Sequence, residues 1–341
     1  MPEKVKGGLF YLGTHMYPGC RKRTDFDFDE DTWNAIVDAM ADAGMNSLFL
    51  DIHEGLHYGS HPELAVEDAW TRQRMRKEIK RLKEKGMIIT PKLNFSTCHD
   101  FWLGPYEKMV STPTYYQVCR DLIRELCELF ADTPYFHLGM DEEDYRHAKN
   151  DQLVAYRRDK QLWYDMQFLM DCVRGCGKTP VIWGSVPVYN YEEFKANISP
   201  EDMIIMHYYY NGALDNPEHW TRTDSREDYY QYYHVPGTFG GMGYAGMGME
   251  YIERDDPYCV HFRKNALRSA LDGYDTILCC SNFYEHPHNA DDVVEMVMKD
   301  WPEERVKGII TCPWYFSNAA GREKNLEGIR LMKEAYEKFG Y

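Results

Sequence analysis

Residues 135–144 read YFHLGMDEED, an apolar strand-like run that passes directly into four acids. The apolar part is short and nearly continuous, which is typical of a parallel strand buried on both faces. The break places four like charges close together where the strand ends. The stretch therefore predicts a buried strand with a polar site at its carboxyl end.

Seven further apolar runs resemble this one, and segments with helical periodicity lie between them. Trp33, Ile36, Val37 and Met40, for example, recur at the spacing of one helix face. Repeated β-α units build a parallel sheet, and eight of them close a barrel. We therefore predict an α/β fold, a single (β/α)8 TIM barrel over residues 1–341. The seven other predicted strands are Gly8–Gly13, Asn46–Ile52, Met87–Leu93, Pro180–Gly184, Met203–Tyr208, Thr276–Cys280 and Gly308–Cys312.

One stretch does not fit the count of eight. Thr238–Ala245 reads TFGGMGYA and could be a ninth strand or a glycine-rich loop at the active site. The residues alone leave both alternatives open.

Charge and composition exclude several classes of partner. The 341 residues carry 39 Lys and Arg against 55 Asp and Glu, a net charge of -16, which argues against a nucleic-acid partner. The first residues predict no signal peptide, and the absence of an apolar run of sufficient length predicts no membrane-spanning helix. Ten cysteines lie largely in apolar stretches, as reduced thiols do. We expect a cytoplasmic protein with no cofactor and no membrane partner, and a homodimer stays an open alternative.

Polar and aromatic side chains follow the predicted strands, and in a TIM barrel these carboxyl ends form the active site. An aromatic content of 15% is high, and rings with a polar tip suit the apolar faces of sugars. This composition is only a hint of a sugar-binding pocket, because most of these rings must pack the core. In strand order, the candidate substrate-binding residues are His15, Asp51, His53, Asn94, His137, Trp183, Tyr208, Tyr209, Glu285 and Trp314.

The acids that end the fourth strand are the strongest candidates for catalysis. Crowded like charges raise the pKa of at least one carboxyl, the condition for a general acid near neutral pH. We assign catalysis to Asp141 and Glu142. The outer pair, Glu143 and Asp144, is interpreted as a solvated loop or as caps of the next helix N-terminus.

The motif His137-Leu138-Gly139-Met140-Asp141-Glu142 resembles the His-x-Gly-Gly-Asp-Glu motif of glycoside hydrolase family 20, the β-N-acetylhexosaminidases. Gly-Met-Asp-Glu is similar to the hexosaminidase D-like branch. A sixth strand that ends in tyrosines and the glycine-rich stretch Thr238–Gly246 are similar to that branch as well. The resemblance implies a carbohydrate substrate and an exo-acting enzyme that works by substrate assistance, without a second protein carboxylate as nucleophile.

The resemblance also implies a role for each site residue. Glu142 would be the general acid and base, and Asp141 would orient the 2-acetamido group of the substrate. Tyr208 or Tyr209 would bind the acetamido oxygen, and Trp183 and Trp314 would form walls around the sugar.

The sequence departs from the family at one position. Family members present an arginine near the end of strand one, and GLFYLGTHMY has none. His15 or Asp51 is the candidate replacement.

Three alternatives remain open. Glu285, after the seventh strand, could be the nucleophile of a two-carboxylate retaining β-glycosidase with Glu142 as acid and base. The barrel could bind carbohydrate without catalysis. His53-Glu54-Gly55-Leu56-His57 matches the His-Glu-x-x-His pattern of zinc peptidases, which would make the chain a metal-dependent hydrolase. That pattern requires a helix, and Gly55 after an apolar strand indicates a loop instead.

Overall fold

Eight parallel strands pair in chain order and close into a barrel, with the last strand bonded to the first. This computed structural model describes residues 3–13, 24–97, 99–141, 143, 157, 159–210, 258–283 and 288–341. The predicted TIM barrel is confirmed, and every predicted apolar run overlaps a strand. Thr238–Ala245 lies outside the described residues. The strands are β1 (Val5–Tyr11), β2 (Ser47–Asp51), β3 (Ile88–Lys92), β4 (Tyr135–His137), β5 (Thr179–Trp183), β6 (Ile204–Tyr208), β7 (Asp275–Cys280) and β8 (Val306–Thr311).

Helices with local stop and start signals separate the strands. Asp29 caps the first helix by accepting from the Thr32 amide over 2.7 Å, and Gly44 follows its end at φ +66°. None of the helices in the described ranges is long and apolar enough to cross a membrane. They are α1 (Glu30–Asp42), α2 (Arg72–Glu84), α3 (Pro113–Leu129), α4 (Asp159–Gly175), α5 (Ser185–Tyr189), α6 (Tyr191–Asn197), α7 (Tyr258–Leu271), α8 (Asn289–Asp300) and α9 (Arg322–Phe339).

The highly charged helix α2 shows how a thin apolar stripe still packs. Met75 and Leu82 are buried, and between them lies Glu78, a carboxylate with no exposed surface. Glu78 accepts from Trp33 Nε1 over 2.7 Å and pairs with Arg81. The buried Glu78 carboxylate is thus both hydrogen-bonded and ion-paired, as burial of a carboxylate requires.

Two apolar regions hold the barrel together. The larger one lies between the strands and the helices, and the smaller one fills the barrel interior around Leu9, Phe49 and Ile310. The predicted buried thiols are confirmed as buried and free: Cys119, Cys127, Cys279, Cys280 and Cys312.

The interior becomes polar at the carboxyl ends of three neighbouring strands. Asp51, Lys92 and His137 are the last residues of β2, β3 and β4, and they are register partners in sequence order. All three have no exposed surface. The barrel interior therefore ends in a layer of buried polar groups directly at the mouth where TIM barrels carry their sites.

Candidate active site

The turn after β4 brings Asp141 next to the third strand. Gly139 has φ +73° and Met140 φ +64°, so two successive residues are left-handed. A Cβ atom at Gly139 would lie 2.0 Å from Asn94 Oδ1, which leaves no room for any side chain. The glycine of the motif is therefore required both by its backbone conformation and by the close approach of Asn94.

The Asp141 carboxylate is held by neighbours from the β3 side of the mouth. Asn94 Nδ2 donates to Asp141 Oδ1 over 2.8 Å, and His99 Nε2 lies 3.5 Å from Asp141 Oδ2. The Ser96 hydroxyl donates to the Asp141 carbonyl oxygen. The side chain retains 13% of its surface exposed, so a bound molecule can reach the carboxylate. Asn94 and His99 thus orient the carboxylate while part of the side chain stays accessible.

Several of the sequence candidates lie outside the described residues. These are Glu142, Asp144, His15 and Glu285.

Glu143 corrects the interpretation of the outer acids as solvated. Its side chain is buried, and Oε1 lies 2.5 Å from Arg157 Nη1. The amide and hydroxyl of Thr97 donate to the same carboxylate over 3.0 and 2.8 Å. Arg157 also binds Asp165 of α4 over 2.7 Å. Glu143 is an internal ion-pair partner that ties the chain after β4 to α4, because a buried carboxylate needs a paired cation.

A buried ion pair lies beneath Asp141. Lys92 Nζ donates to Asp51 Oδ2 over 2.5 Å, and His53 Nε2 lies 2.9 Å from Asp51 Oδ1. The backbone amide of Asn94 donates to the same His53 nitrogen over 3.0 Å. Asp51, His53 and Asn94 were expected at the substrate surface, and the structure places them with no exposed surface. They form a support under Asp141.

The two histidines of this layer are held in the neutral form. Burial lowers the pKa of His53, although Asp51 acts in the opposite direction. Burial, together with the Lys92 charge, holds the pKa of His137 well below its ordinary value. His137 Nδ1 accepts from the Gly139 amide over 3.0 Å. His137 thus also has a structural contact within the motif, and it has no exposed surface.

Aromatic rings line the mouth after β5, β6 and β8. The Trp183 ring centroid lies 5.8 Å from that of Tyr208 and 5.6 Å from that of Trp314. Tyr210 stacks on Tyr208 at 5.3 Å, and its hydroxyl accepts from Trp314 Nε1 over 2.9 Å. Trp183 is buried, whereas Tyr208, Tyr210 and Trp314 are half-buried. The structure therefore brings Trp183, Tyr208 and Trp314 together as an aromatic wall, in which the rings of Tyr208 and Trp314 are partly accessible.

The two neighbouring tyrosine candidates of β6 lie on different sides of the strand. The Tyr208 hydroxyl lies 2.9 Å from Ser185 Oγ, and its ring packs on the interior cluster. Tyr209 is buried in the outer core between strands and helices. Successive side chains of a strand point to opposite faces, so only one of the two can face the barrel interior.

The His-Glu-x-x-His stretch does not form the helix that a zinc peptidase needs. His53–Gly55 is a single 3-10 turn, and Leu56 is already extended. His57 Nε2 lies 3.1 Å from the Glu67 carbonyl oxygen. Within the described ranges, no three His, Cys, Asp or Glu side chains are arranged to hold a metal ion.

Sequence reasoning missed Lys92 and Arg157. Lys92 shares the inward face of β3 with Thr90, two residues earlier, and both are buried. A lysine at such a position needs a counter-charge in the interior, and this signal was available in the sequence. Arg157 offered no comparable signal, because it lies outside any periodic segment.

Comparison with known proteins gives a result only at the level of structure. No protein-family model matches the sequence, and no curated protein matches it. An exo β-N-acetylglucosaminidase of glycoside hydrolase family 20 from Vibrio harveyi superimposes with a TM-score of 0.60 at 14% identity, over 97% of this chain and 54% of that one. A β-N-acetylhexosaminidase from Bacteroides fragilis gives 0.58 at 13%, over 97% and 65%. This chain shares their fold.

Dispersin B is similar over nearly its whole length. It superimposes with a TM-score of 0.57 at 12% identity and covers 98% of both chains. This chain spans only about half the length of the Vibrio harveyi enzyme. At such identities the likeness concerns the barrel and does not by itself carry an activity.

Proposed function

We propose that this chain is an exo-acting glycoside hydrolase of the β-N-acetylhexosaminidase type that uses substrate assistance. The observation that carries the proposal is the setting of Asp141. One carboxylate oxygen is bound by Asn94, part of the side chain stays accessible, and an aromatic wall lies at the same end of the barrel. The fold shared with family 20 structures supports the same function.

In this mechanism the substrate supplies its own nucleophile. Glu142 protonates the leaving glycosidic oxygen while the 2-acetamido oxygen attacks C1, so that the C1–oxygen bond to the aglycone breaks and an oxazolinium ion forms. Asp141 accepts a hydrogen bond from the acetamido N–H and stabilises the positive charge. Glu142 then takes a proton from water, which opens the ring at C1 with net retention.

The aromatic wall would position the sugar. Tyr208 is the tyrosine we assign to the acetamido oxygen, because Tyr209 is buried in the outer core. Trp314 would pack on the apolar face of the sugar, with Trp183 as the buried floor. Asp51 is already paired with Lys92, so His15 is the better candidate for the outer sugar hydroxyls.

The test is hydrolysis of paired aryl β-glycosides that differ only in the 2-acetamido group. We expect turnover only of the N-acetyl members, with inhibition by a thiazoline mimic of the oxazolinium ion. Glu142→Gln should lower kcat by about 100- to 10,000-fold, because a general acid is lost. Glu84→Gln, on the exposed side of α2, is the control and should leave kcat unchanged.

Other outcomes identify the alternatives. Covalent trapping of Glu285 by a 2-fluoro glycoside would replace substrate assistance by the two-carboxylate mechanism. Binding of the same glycosides without any turnover would support a carbohydrate-binding barrel. An unchanged rate in Glu142→Gln would overturn the proposal as a whole.

A further inference from the structure

We propose that Asn94 is a positioning residue that acts through Asp141 and does not itself bind substrate. Its amide group binds Asp141 Oδ1 and thereby orients the carboxylate that would accept from the acetamido N–H. This inference rests on the proposed function and deepens it.

Asn94 is held at each of its four polar groups. Its backbone N–H donates to His53 Nε2 over 3.0 Å, and its carbonyl oxygen accepts from Trp102 Nε1 over 2.9 Å. Its side-chain Oδ1 accepts from the Ser96 amide over 3.1 Å, and its Nδ2 donates to Asp141 over 2.8 Å. A backbone N–H can only donate, so the Ser96 contact determines which end of the Asn94 amide faces Asp141.

The support beneath Asn94 is equally rigid. His53 lies between Asn94 and the buried Asp51–Lys92 pair, and the His53 ring centroid is 5.2 Å from that of Trp102. Asp51, His53, Lys92 and Asn94 all have no exposed surface. Burial of the whole side chain excludes a direct contact between Asn94 and a bound sugar.

The chemistry of the amide determines the charge of its partner. Because an amide NH2 group only donates, it stabilises the ionised form of the carboxylate it faces. Among charged or titratable groups, His99 lies 3.5 Å from Asp141, and Glu142 and Glu143 follow Asp141 in the chain. Beneath Asn94 lie His53, Asp51 and Lys92, as described above. Asn94 donates to Oδ1 from a neutral amide group that does not titrate.

The decisive variant is Asn94→Asp, which keeps the shape and replaces the NH2 group by an oxygen. The new carboxyl group at position 94 and the carboxyl group of Asp141 then share one proton, and this proton can take the place of the lost N–H. We expect kcat/KM near that of the wild type at about pH 5, and a new alkaline limb where the shared proton leaves the pair. Substitution of a residue with a merely structural role would change the rate without adding a new ionisation to the pH profile of kcat/KM.

Two further variants complete the series. Asn94→Leu has the same branching but no donor, and should lower kcat/KM about ten- to a hundredfold at every pH, mainly through kcat. Thr90→Val is the matched control on β3. It loses a buried hydrogen bond of 2.7 Å between the hydroxyl groups of Thr90 and Thr133, and this bond does not involve Asp141. Thr90→Val should lower stability and leave the pH profile unchanged.

The measurement pairs kinetics with a direct titration. The kinetics are the pH profiles of kcat and KM on an aryl 2-acetamido glycoside. The titration follows carboxyl carbons of 13C-aspartate-labelled protein, with the Asp141 signal assigned by its loss in Asp141→Asn. In Asn94→Asp the pair should retain one proton above pH 6.

Each outcome either supports or overturns the positioning role of Asn94. A pH profile of Asn94→Asp parallel to that of the wild type, with no retained proton, would overturn it. Wild-type rates in Asn94→Leu would do the same even if Asn94→Asp failed to fold. If the wild type hydrolysed no glycoside, the proposed function would fail, and the titration would still show whether Asn94 controls the ionisation of Asp141.

Discussion

Lys92 is a cation with no exposed surface, and its position explains much of the site. Its ammonium group donates to Asp51 over 2.5 Å and lies 6.0 Å from the centroid of the Trp183 ring. A buried ion pair of this kind is poor evidence for stability as such, because desolvation offsets most of the attraction. Its effect here is to hold Asp51 in place beside His53, and through His53 the backbone of Asn94.

Removing one partner of the Asp51–Lys92 pair should lower the free energy of unfolding. Lys92→Met leaves the Asp51 carboxylate buried without the Lys92 cation, so we expect a loss of about 3–5 kcal/mol in the free energy of unfolding, measured by urea denaturation. Adding Asp51→Leu to Lys92→Met should restore most of that loss, since an apolar pair replaces the ion pair.

The control is an exposed ion pair of the same chemistry. Lys338 and Asp291 lie 2.6 Å apart with 58% and 29% of their side chains exposed, and Lys338→Met should cost about 1 kcal/mol or less. Equal losses in Lys338→Met and Lys92→Met would contradict the role assigned to burial.

At the scale of the element, β4 and the turn that follows it set the position of Asp141. The strand is only three residues long, and the chain leaves it through Gly139 and Met140 at positive φ. Leu138 still bonds to β5, because its amide donates to the Val181 carbonyl oxygen over 2.8 Å. The backbone therefore turns only after Leu138, and it turns where Asn94 lies against it.

Alanine substitutions at two glycines with similar φ distinguish the cost of backbone strain from the cost of a steric clash. Gly44, at φ +66°, has open space around its missing Cβ, so Gly44→Ala should cost only the strain of about 1–2 kcal/mol. Gly139→Ala adds a clash with Asn94, which should cost about 1–3 kcal/mol more and abolish turnover. Urea midpoints and kcat for both variants check this. Equal stability losses with kcat intact would show that the approach of Asn94 does not matter.

At the scale of the whole molecule, buried histidines link stability to pH. Burial lowers the pKa of His207 to about 3, and it also lowers the pKa of His53 and His137. An unfolded histidine takes up its proton near pH 6.5, whereas the folded one stays neutral. The unfolded state thus binds more protons below about pH 6.5, so stability is fully present above that pH and is lost as the pH falls.

The His207 contribution can be isolated. His207→Asn should flatten the dependence of the free energy of unfolding on pH between about 6 and 4, by up to about 1.4 kcal/mol per pH unit, or one proton. Ser269 Oγ lies 2.9 Å from His207 Nε2, and Ser269→Ala keeps the imidazole. Ser269→Ala should therefore keep the wild-type slope. A wild-type slope in His207→Asn would contradict the assignment.

Much of the fold could be predicted from local pattern. The eight strands are short apolar runs, and this property belongs to each run by itself, so every predicted run overlaps an observed strand. The same holds for Gly44 as the end of α1 and for the loop at His53–Gly55. The placement of Asp141 at the barrel mouth follows from its position directly after β4.

What the sequence determined by itself was the barrel and the place of the site, because periodicity and strand ends are local properties. Only the tertiary structure decided which polar residues are exposed. Asp51 and Lys92 are 41 residues apart and pair through the register of β2 and β3. Glu143 looks like its acidic neighbours in sequence, yet Arg157, 14 residues later, makes it a buried partner. Burial depends on contacts between distant segments, which local pattern does not contain.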